Sequence, residues 1–530
     1  MPGCKFYVHM LVITFLLTGM SSTSLGNPPQ NPPLVNEVLD LGDGLSMDLW
    51  KLVPNSLPTK KTMGLILTFH GHGGAGKALL NWPSRHWLRH HGLEDQYVVI
   101  GLKASRKGYI DNMGDWEEAD FEPVFKTYEW AMKKYPIDSR RVHLIGFSRG
   151  GFMVTRFIWK NLKYFATVTA VAGAYSPGWT KESLPGRDFA KLKPGQRMEY
   201  KAVFEDFRKI ISKNSLKSYI SIQARKKVKV ADMLPEFYHI HGVNDALIDV
   251  NLTRCYTRDL GKTGLRYIYR ERDDGNHGNI FGWDEKSNNR YFEDNFAWIH
   301  ATRNKILPLS KTDQKTLAII RERIGTLESN KALPLIGEAA RIGGSEAGKA
   351  LIKALDSKHA DVRAASIKSA YTTSYGPDFT AKLGEFIRDK DPAIDQNLRF
   401  NACHVLGTYA KWRQRDAQSI LINAVLDTSL SQYIRFQLIT AISKTYEFLV
   451  PGNKYDDKII IKTLIQLLDD HDEGVRAYSH MILVKGTNGV SKFGYNASDS
   501  KIDRQTAVKR WSDWALKATA PLLSEDFIRK

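Results

Sequence analysis

Three polar residues are spaced and framed so as to do chemistry together. Ser148 lies in Gly146-Phe147-Ser148-Arg149-Gly150, directly after an apolar run and before helix-forming residues. Glycines two positions to either side let a serine sit on a strained strand-to-helix turn with its hydroxyl held away from the backbone. A helix that starts there turns its N-terminal N–H groups and positive dipole end toward an oxyanion formed at that serine. Asp245 follows in His241-Gly242-Val243-Asn244-Asp245, and His277 in Asp273-Asp274-Gly275-Asn276-His277-Gly278. Serine, acid and histidine are the groups needed for nucleophilic acyl transfer.

The elements that must position them are strands. Gly64 to Phe69 is a short apolar run ended by His70-Gly71-His72-Gly73-Gly74, and the spacing predicts a buried strand delivering a glycine-rich turn. Such a turn can aim backbone N–H groups into a cavity, as the second half of an oxyanion hole requires. The same residues nearly form a phosphate loop through Gly71, Gly76 and Lys77, but Ala78 lacks the magnesium-binding hydroxyl. Further strands are expected at 97–102, from 141 up to Gly146, and at 166–172, 236–240 and 265–270, with helices at 77–91 and 121–135 and a hairpin over 34–51. This alternation predicts a doubly wound, mostly parallel α/β sheet. Polar groups at the carboxyl ends of its strands would converge, which brings Ser148, Asp245 and His277 together.

Their chain order, Ser, Asp, His, is that of an α/β-hydrolase triad. With the HGHGG turn, the GFSRG elbow, HGVND and the closing histidine loop, residues 34–305 resemble the α/β-hydrolases. They are most similar to secreted esterases of the polyhydroxyalkanoate depolymerase, feruloyl esterase and dienelactone hydrolase-like groups. The resemblance implies Ser148 as nucleophile, His277 as general base and then acid, and Asp245 as the group orienting the imidazole. It also implies an oxyanion hole from the N–H groups of Arg149 and of His72, and no cofactor or metal. Asp249 is the alternative acid, four residues further on. His239 and His241 read as strand or turn residues, and His70 and His72 as shaping the turn. Trp82, Trp116 and Trp283 are either pocket lining or core.

The chain has 530 residues, 42% of them hydrophobic, which leaves room for two or three cores. Lys5, the apolar run 6–17 and the small residues ending at Gly26 have the form of a secretory signal peptide, placing the hydrolase unit at 27–305. The run is too short for a stable membrane anchor. Cys255 and Cys403 lie far apart, so no disulfide framework is indicated. A net charge of +19 favours polyanions, for an exported chain acidic polysaccharides or cell-surface material, or else marks no more than a soluble basic surface, and no nucleic-acid-binding fold accompanies it. Residues 176–229 break the alternation and end in Arg225-Lys226-Lys227-Val228-Lys229. They read as an insertion, either a lid or a solvated basic excursion.

From 311 to 530 the pattern is helical, with a hydrophobic-Arg dipeptide recurring at Val362-Arg363, Leu398-Arg399, Ile434-Arg435 and Val475-Arg476. That period predicts stacked helical hairpins, and the segment resembles HEAT repeats. Asp356, Asp389 or Asp391, and Asp469 or Asp470 are placed to cap helix starts. Phe493, Tyr495, Trp511 and Trp514 read as a terminal cap. The solenoid is either a binding surface for protein or glycan or a passive spacer, and a piece ending near Asn304 is expected to retain activity on small esters. The whole reads as an exported serine esterase acting on carboxylic esters, among them acyl groups on polysaccharide. The alternatives are a prolyl oligopeptidase-like serine peptidase, disfavoured because only a short leader precedes the first strand, and a non-catalytic scaffold in which the repeats bind a partner.

Overall fold

The structure is a computed structural model and describes residues 33–80, 84–104, 106–107, 114–173, 235–248, parts of 250–257, 267–272, 275–280, 290–388, 396–446, 454–486 and 493–518. The signal-like segment, the basic insertion 176–229, Trp82, Trp283, Asp249, Asp389 and Asp391 lie outside the described residues.

A hairpin of β1 (Leu34–Gly42) and β2 (Leu45–Leu52) opens the chain. Its turn holds Gly42, Asp43 and Gly44 at positive φ, which two glycines make accessible. Then come β3 (Met63–Phe69), α1 (Arg85–His90) and β4 (Tyr97–Leu102). After a two-stranded excursion of β5 (Arg106–Lys107) and β6 (Gly114–Asp115), α2 (Phe121–Lys134) leads to β7 (Ile137–Phe147) and α3 (Arg149–Lys160). The strands β8 (Thr167–Val171), β9 (Glu236–Gly242) and β10 (Tyr267–Arg272) and the helix α4 (Arg290–Ala301) complete the unit. The main sheet runs β1-β2-β4-β3-β7-β8-β9-β10, parallel from β4 to β10 and antiparallel at β1, β2 and β4. This is the α/β sheet expected from the alternation, with observed strands within two residues of the expected ones at β3, β4, β8, β9 and β10.

Both faces are covered, so β3, β4 and β8 are buried along their whole length. The period of two sorts their side chains. Leu65 and Leu67 pack with Val124 and Tyr128 of α2 and Phe157 of α3, whereas Ile66 joins Trp87 of α1 and Phe296 of α4 on the other face.

The helices that follow are α5 (Lys311–Arg323), α6 (Ser329–Ile342), α7 (Gly344–Leu355), α8 (Ala360–Ser369), α9 (Pro377–Arg388), α10 (Gln396–Lys411), α11 (Arg415–Val425), α12 (Gln432–Tyr446), α13 (Lys454–Gln466), α14 (Glu473–Gly486) and α15 (Lys501–Ala518). They form two layers of hairpins, with α5, α7, α9 and α11 stacked in one and α6, α8, α10, α12 and α14 in the other. Three of the four recurring arginines anchor the backbone between helices. Arg363 donates to the Ser357 carbonyl at 2.5 Å, Arg435 Nε to the Val425 carbonyl at 3.0 Å with its fork on Asp470, and Arg476 Nε to the Ala497 carbonyl at 2.9 Å. Each ties the chain entering or leaving a helix.

The capping expectation is corrected. Asp356 closes the carboxyl end of α7 and pairs with Lys382, and His359 stands at the start of α8. Asp470 is committed to Arg435, and it is Asp472 that accepts the Val475 N–H at 3.0 Å. At the far end Trp511 packs on Phe493 and Trp514, with ring centroids 4.8 and 5.6 Å away.

Sheet and stack share one core. The apolar cluster containing Ile66, Ile240 and Trp298 runs without a break into Leu351, Leu406 and Leu438. Asp294 of α4, fully buried, accepts from Tyr238 Oη at 2.6 Å and from Trp412 Nε1 at 3.1 Å, and pairs with Lys411 and Arg270. Burial alone would raise this carboxyl, but Lys411 and Arg270 outweigh it and hold it below the usual carboxylate range. Arg140 and Arg303 donate to the last carbonyls of α6, at Ile342 (2.8 Å) and Arg341 (3.3 Å), where cations complement the helix dipole.

Candidate active site

The turn at Ser148 shows why its flanks are glycine. Ser148 has φ 52° and ψ −117°, a left-handed conformation that costs a non-glycine residue about 1–3 kcal/mol. A Cβ on Gly146 would lie 2.1 Å from the Gly150 carbonyl oxygen, and one on Gly150 2.0 Å from that of Phe69. Neither backbone can yield. The Ser148 N–H donates to Val171 at 2.8 Å, locking the turn onto β8.

Asp245 and His277 come from loops that are zipped together. The N–H groups of Val243 and Asn244 donate to the carbonyls of Arg272 and Gly275, both at 2.9 Å. A Cβ on Gly242 would lie 2.3 Å from the Gly275 oxygen, so the close approach requires glycine. Asn276 Oδ1 accepts from Gly278 and Asn279 N–H, both at 2.9 Å, which closes the loop around His277.

The three side chains meet. His277 Nε2 lies 2.9 Å from Ser148 Oγ, and Nδ1 lies 2.7 Å from Asp245 Oδ2. Phe147 packs on the imidazole at 5.1 Å between ring centroids. Asp245 Oδ1 accepts from the N–H groups of Leu247 (2.9 Å) and Ile248 (2.8 Å). Burial would raise the Asp245 carboxyl, but hydrogen bonds from His241, His277 and the Ile248 N–H dominate and hold it far below the usual range. The carboxylate faces Nδ1 and so fixes the proton of His277 there, leaving Nε2 as the acceptor facing the serine.

Arg149 is the first residue of α3, and the turn after β3 lies over the serine: a Cβ on Gly71 would sit 3.1 Å from Ser148 Cβ. The expected oxyanion donors, Arg149 and half-buried His72, thus come from the two segments that flank the nucleophile. His70 is buried and shapes this turn. Its Nε2 accepts from the Ala104 N–H at 3.1 Å, its Nδ1 faces the Gly71 carbonyl at 2.6 Å, and burial lowers its pKa. Trp116 is buried rather than pocket-lining, and its indole N–H donates to the His70 carbonyl at 2.8 Å. Among the described residues no group of three or more His, Cys, Asp or Glu could hold a metal ion, and no helix is long and apolar enough to cross a membrane.

His241 reads from the sequence as a strand or turn residue, and it does lie in β9; what the sequence does not reveal is that its Nε2 sits 3.3 Å from Asp245 Oδ2. The only signal was the spacing of four between histidine and acid.

A serine on an elbow, an imidazole and an ionised carboxylate at the carboxyl edge of an α/β sheet form the arrangement of a serine hydrolase. Residues 103–305 match the sequence model of the prolyl oligopeptidase family. No curated protein matches the chain. Among solved structures, an S-formylglutathione hydrolase from Staphylococcus aureus is 15% identical with a TM-score of 0.32, over 50% of this chain and 98% of that one. An acylaminoacyl peptidase from Pyrococcus horikoshii is 12% identical with a TM-score of 0.35, over 54% of this chain and 44% of that one. A ferulic acid esterase is 13% identical with a TM-score of 0.35, over 50% of this chain and 94% of that one.

The geometry separates the two candidate acids by experiment. Asp245→Asn should lower turnover by about 10⁴-fold, because the amide cannot hold the Nδ1–H tautomer or stabilise the imidazolium. Asp249→Asn should leave the rate near wild type. Steady-state kinetics of both variants checks this, and the opposite ranking would assign the acid to Asp249.

Proposed function

We propose that the chain is an exported serine esterase that cleaves carboxylic esters through an acyl-enzyme, with acyl groups on polysaccharide as its natural class of substrate. The observation that carries the hydrolytic part is the continuous relay Ser148 to His277 to Asp245, at 2.9 and 2.7 Å. In this reading Ser148 Oγ attacks the ester carbonyl as His277 Nε2 takes its proton, and the N–H groups of Arg149 and His72 receive the oxyanion. The alcohol leaves with the proton from His277. Water, deprotonated by the same nitrogen, then releases the acid and restores the serine.

Export rests on the apolar N-terminal run, and the polysaccharide assignment on the basic balance and the insertion at 176–229. The helical stack is proposed to be HEAT-like, with a surface for glycan or protein.

A second reading, a serine peptidase, is favoured by the family match over residues 103–305. It shares core and triad order, so substrate preference decides. Purified protein should hydrolyse short-chain nitrophenyl esters and acetylated or feruloylated sugars, and leave peptide amides intact. Cleavage of peptide amides at rates matching or exceeding those on esters would replace the esterase reading by the peptidase one.

A further inference from the structure

The carboxylate of Asp245 is met by two imidazoles. His241, at the carboxyl end of β9, is fully buried, with Nε2 3.0 Å from the Ile248 carbonyl oxygen and 3.3 Å from Asp245 Oδ2. Both oxygens are acceptors only, so Nε2 must carry the proton. Nδ1 lies 2.7 Å from Thr253 Oγ1, whose hydroxyl can donate to it, and the ring is satisfied as a neutral Nε2–H tautomer. Oδ2 therefore receives the N–H of His277 and faces that of His241, whose nearer acceptor is the Ile248 carbonyl, while Oδ1 receives those of Leu247 and Ile248.

We infer that His241 is a positioning residue for the proton relay: it fixes the Asp245 loop and carboxylate against His277 and shares the carboxylate's charge. This rests on the triad reading above. A carboxylate that already faces a second imidazole N–H pulls less on the His277 proton and stabilises the imidazolium less. Among the described residues, three further titratable groups beside this site are already committed. His239, two residues earlier on β9, is buried and pushed down to about 3 by that burial. Glu271, opposite His241 on β10, is held by Arg254 through two bonds of 2.7 Å and by Tyr269 Oη at 2.5 Å. Arg272, next on β10, donates to the Asn279 carbonyl at 2.6 Å.

The test uses the full chain and the rate at which a fluorophosphonate modifies Ser148, measured against pH. Serine oxygen bonds to phosphorus, fluoride leaves, and His277 takes the serine proton, so the acidic limb reports protonation of His277 without any knowledge of the natural ester. His241→Leu should shift that limb upward by roughly half a pH unit and lower the plateau about ten-fold. His241→Gln, whose amide N–H can replace Nε2–H, should restore both. If the leucine variant does not fold, His241→Asn, with an amide too short to reach Asp245, takes its place and should shift the limb in the same direction. A leucine or asparagine variant that is slower but has an unmoved limb would reduce His241 to packing and overturn the inference alone. A wild type that does not react would overturn the triad reading and this inference with it.

Discussion

Replacing Ser148 by alanine should lower ester turnover by a factor on the order of 10⁴ to 10⁶ and leave thermal unfolding close to that of the wild type. The loss is large because the hydroxyl forms the covalent intermediate, and a water placed by the same imidazole recovers only a little of it. The fold should survive because the elbow is held by backbone: the Ser148 N–H on Val171 and the packing of Gly146 and Gly150 do not involve Oγ. Alanine meets the same left-handed φ of 52° as serine does, so that strain is unchanged. Kinetics and a melting curve on the same preparation check both halves. Turnover near wild type in a folded Ser148→Ala protein would remove Ser148 from the chemistry.

The second large effect is expected at the junction. A chain ending at residue 305 contains all the proposed catalytic residues, and its sequence alone suggests a self-sufficient enzyme. The structure argues otherwise. Removing the helical stack strips Lys411 and Trp412 from Asp294 and the Lys411 carbonyl from Arg270, which breaks up the polar cluster that ties α4 to the stack. It also exposes the apolar face of α4 and its surroundings, which run into the stack's core. A domain's net stability is only about 5–15 kcal/mol, so opening a shared apolar core removes a large fraction of it. The truncated protein should therefore be insoluble or melt far below the full chain, and calorimetry of the full chain should show one cooperative transition. A soluble, active 27–305 protein, or two separate transitions in the full chain, would make the stack an independent appendage.

Much of the site was legible because its requirements are local. A positive-φ serine between backbones that tolerate no Cβ demands glycine at 146 and 150, and a buried strand demands an apolar run before it. Both demands appear within a dozen residues. Asp245 and His277 were found because each follows such a run, although the loop contact that joins them, from Val243 and Asn244 to Arg272 and Gly275, involves backbone and leaves little trace in side-chain types. The Asp294 cluster was not legible: its partners are 56 and 118 positions away, and an aspartate within an amphipathic helix looks solvated. The misplaced caps fail for a related reason. Asp470 stands where a cap would stand, but a bidentate arginine from the preceding hairpin claims it, and the cap moves to Asp472.

An activated Ser148 reacts with an electrophilic phosphorus reagent far faster than an ordinary serine does. The full chain should be treated with a fluorophosphonate and its adducts located by intact mass and peptide mapping. One adduct per chain is expected, on the peptide carrying Ser148, abolished by Ser148→Ala and strongly slowed by His277→Ala. No adduct, or an adduct at another residue while Ser148 stays unmodified, would contradict the assignment of this chain as a serine hydrolase working through Ser148, His277 and Asp245.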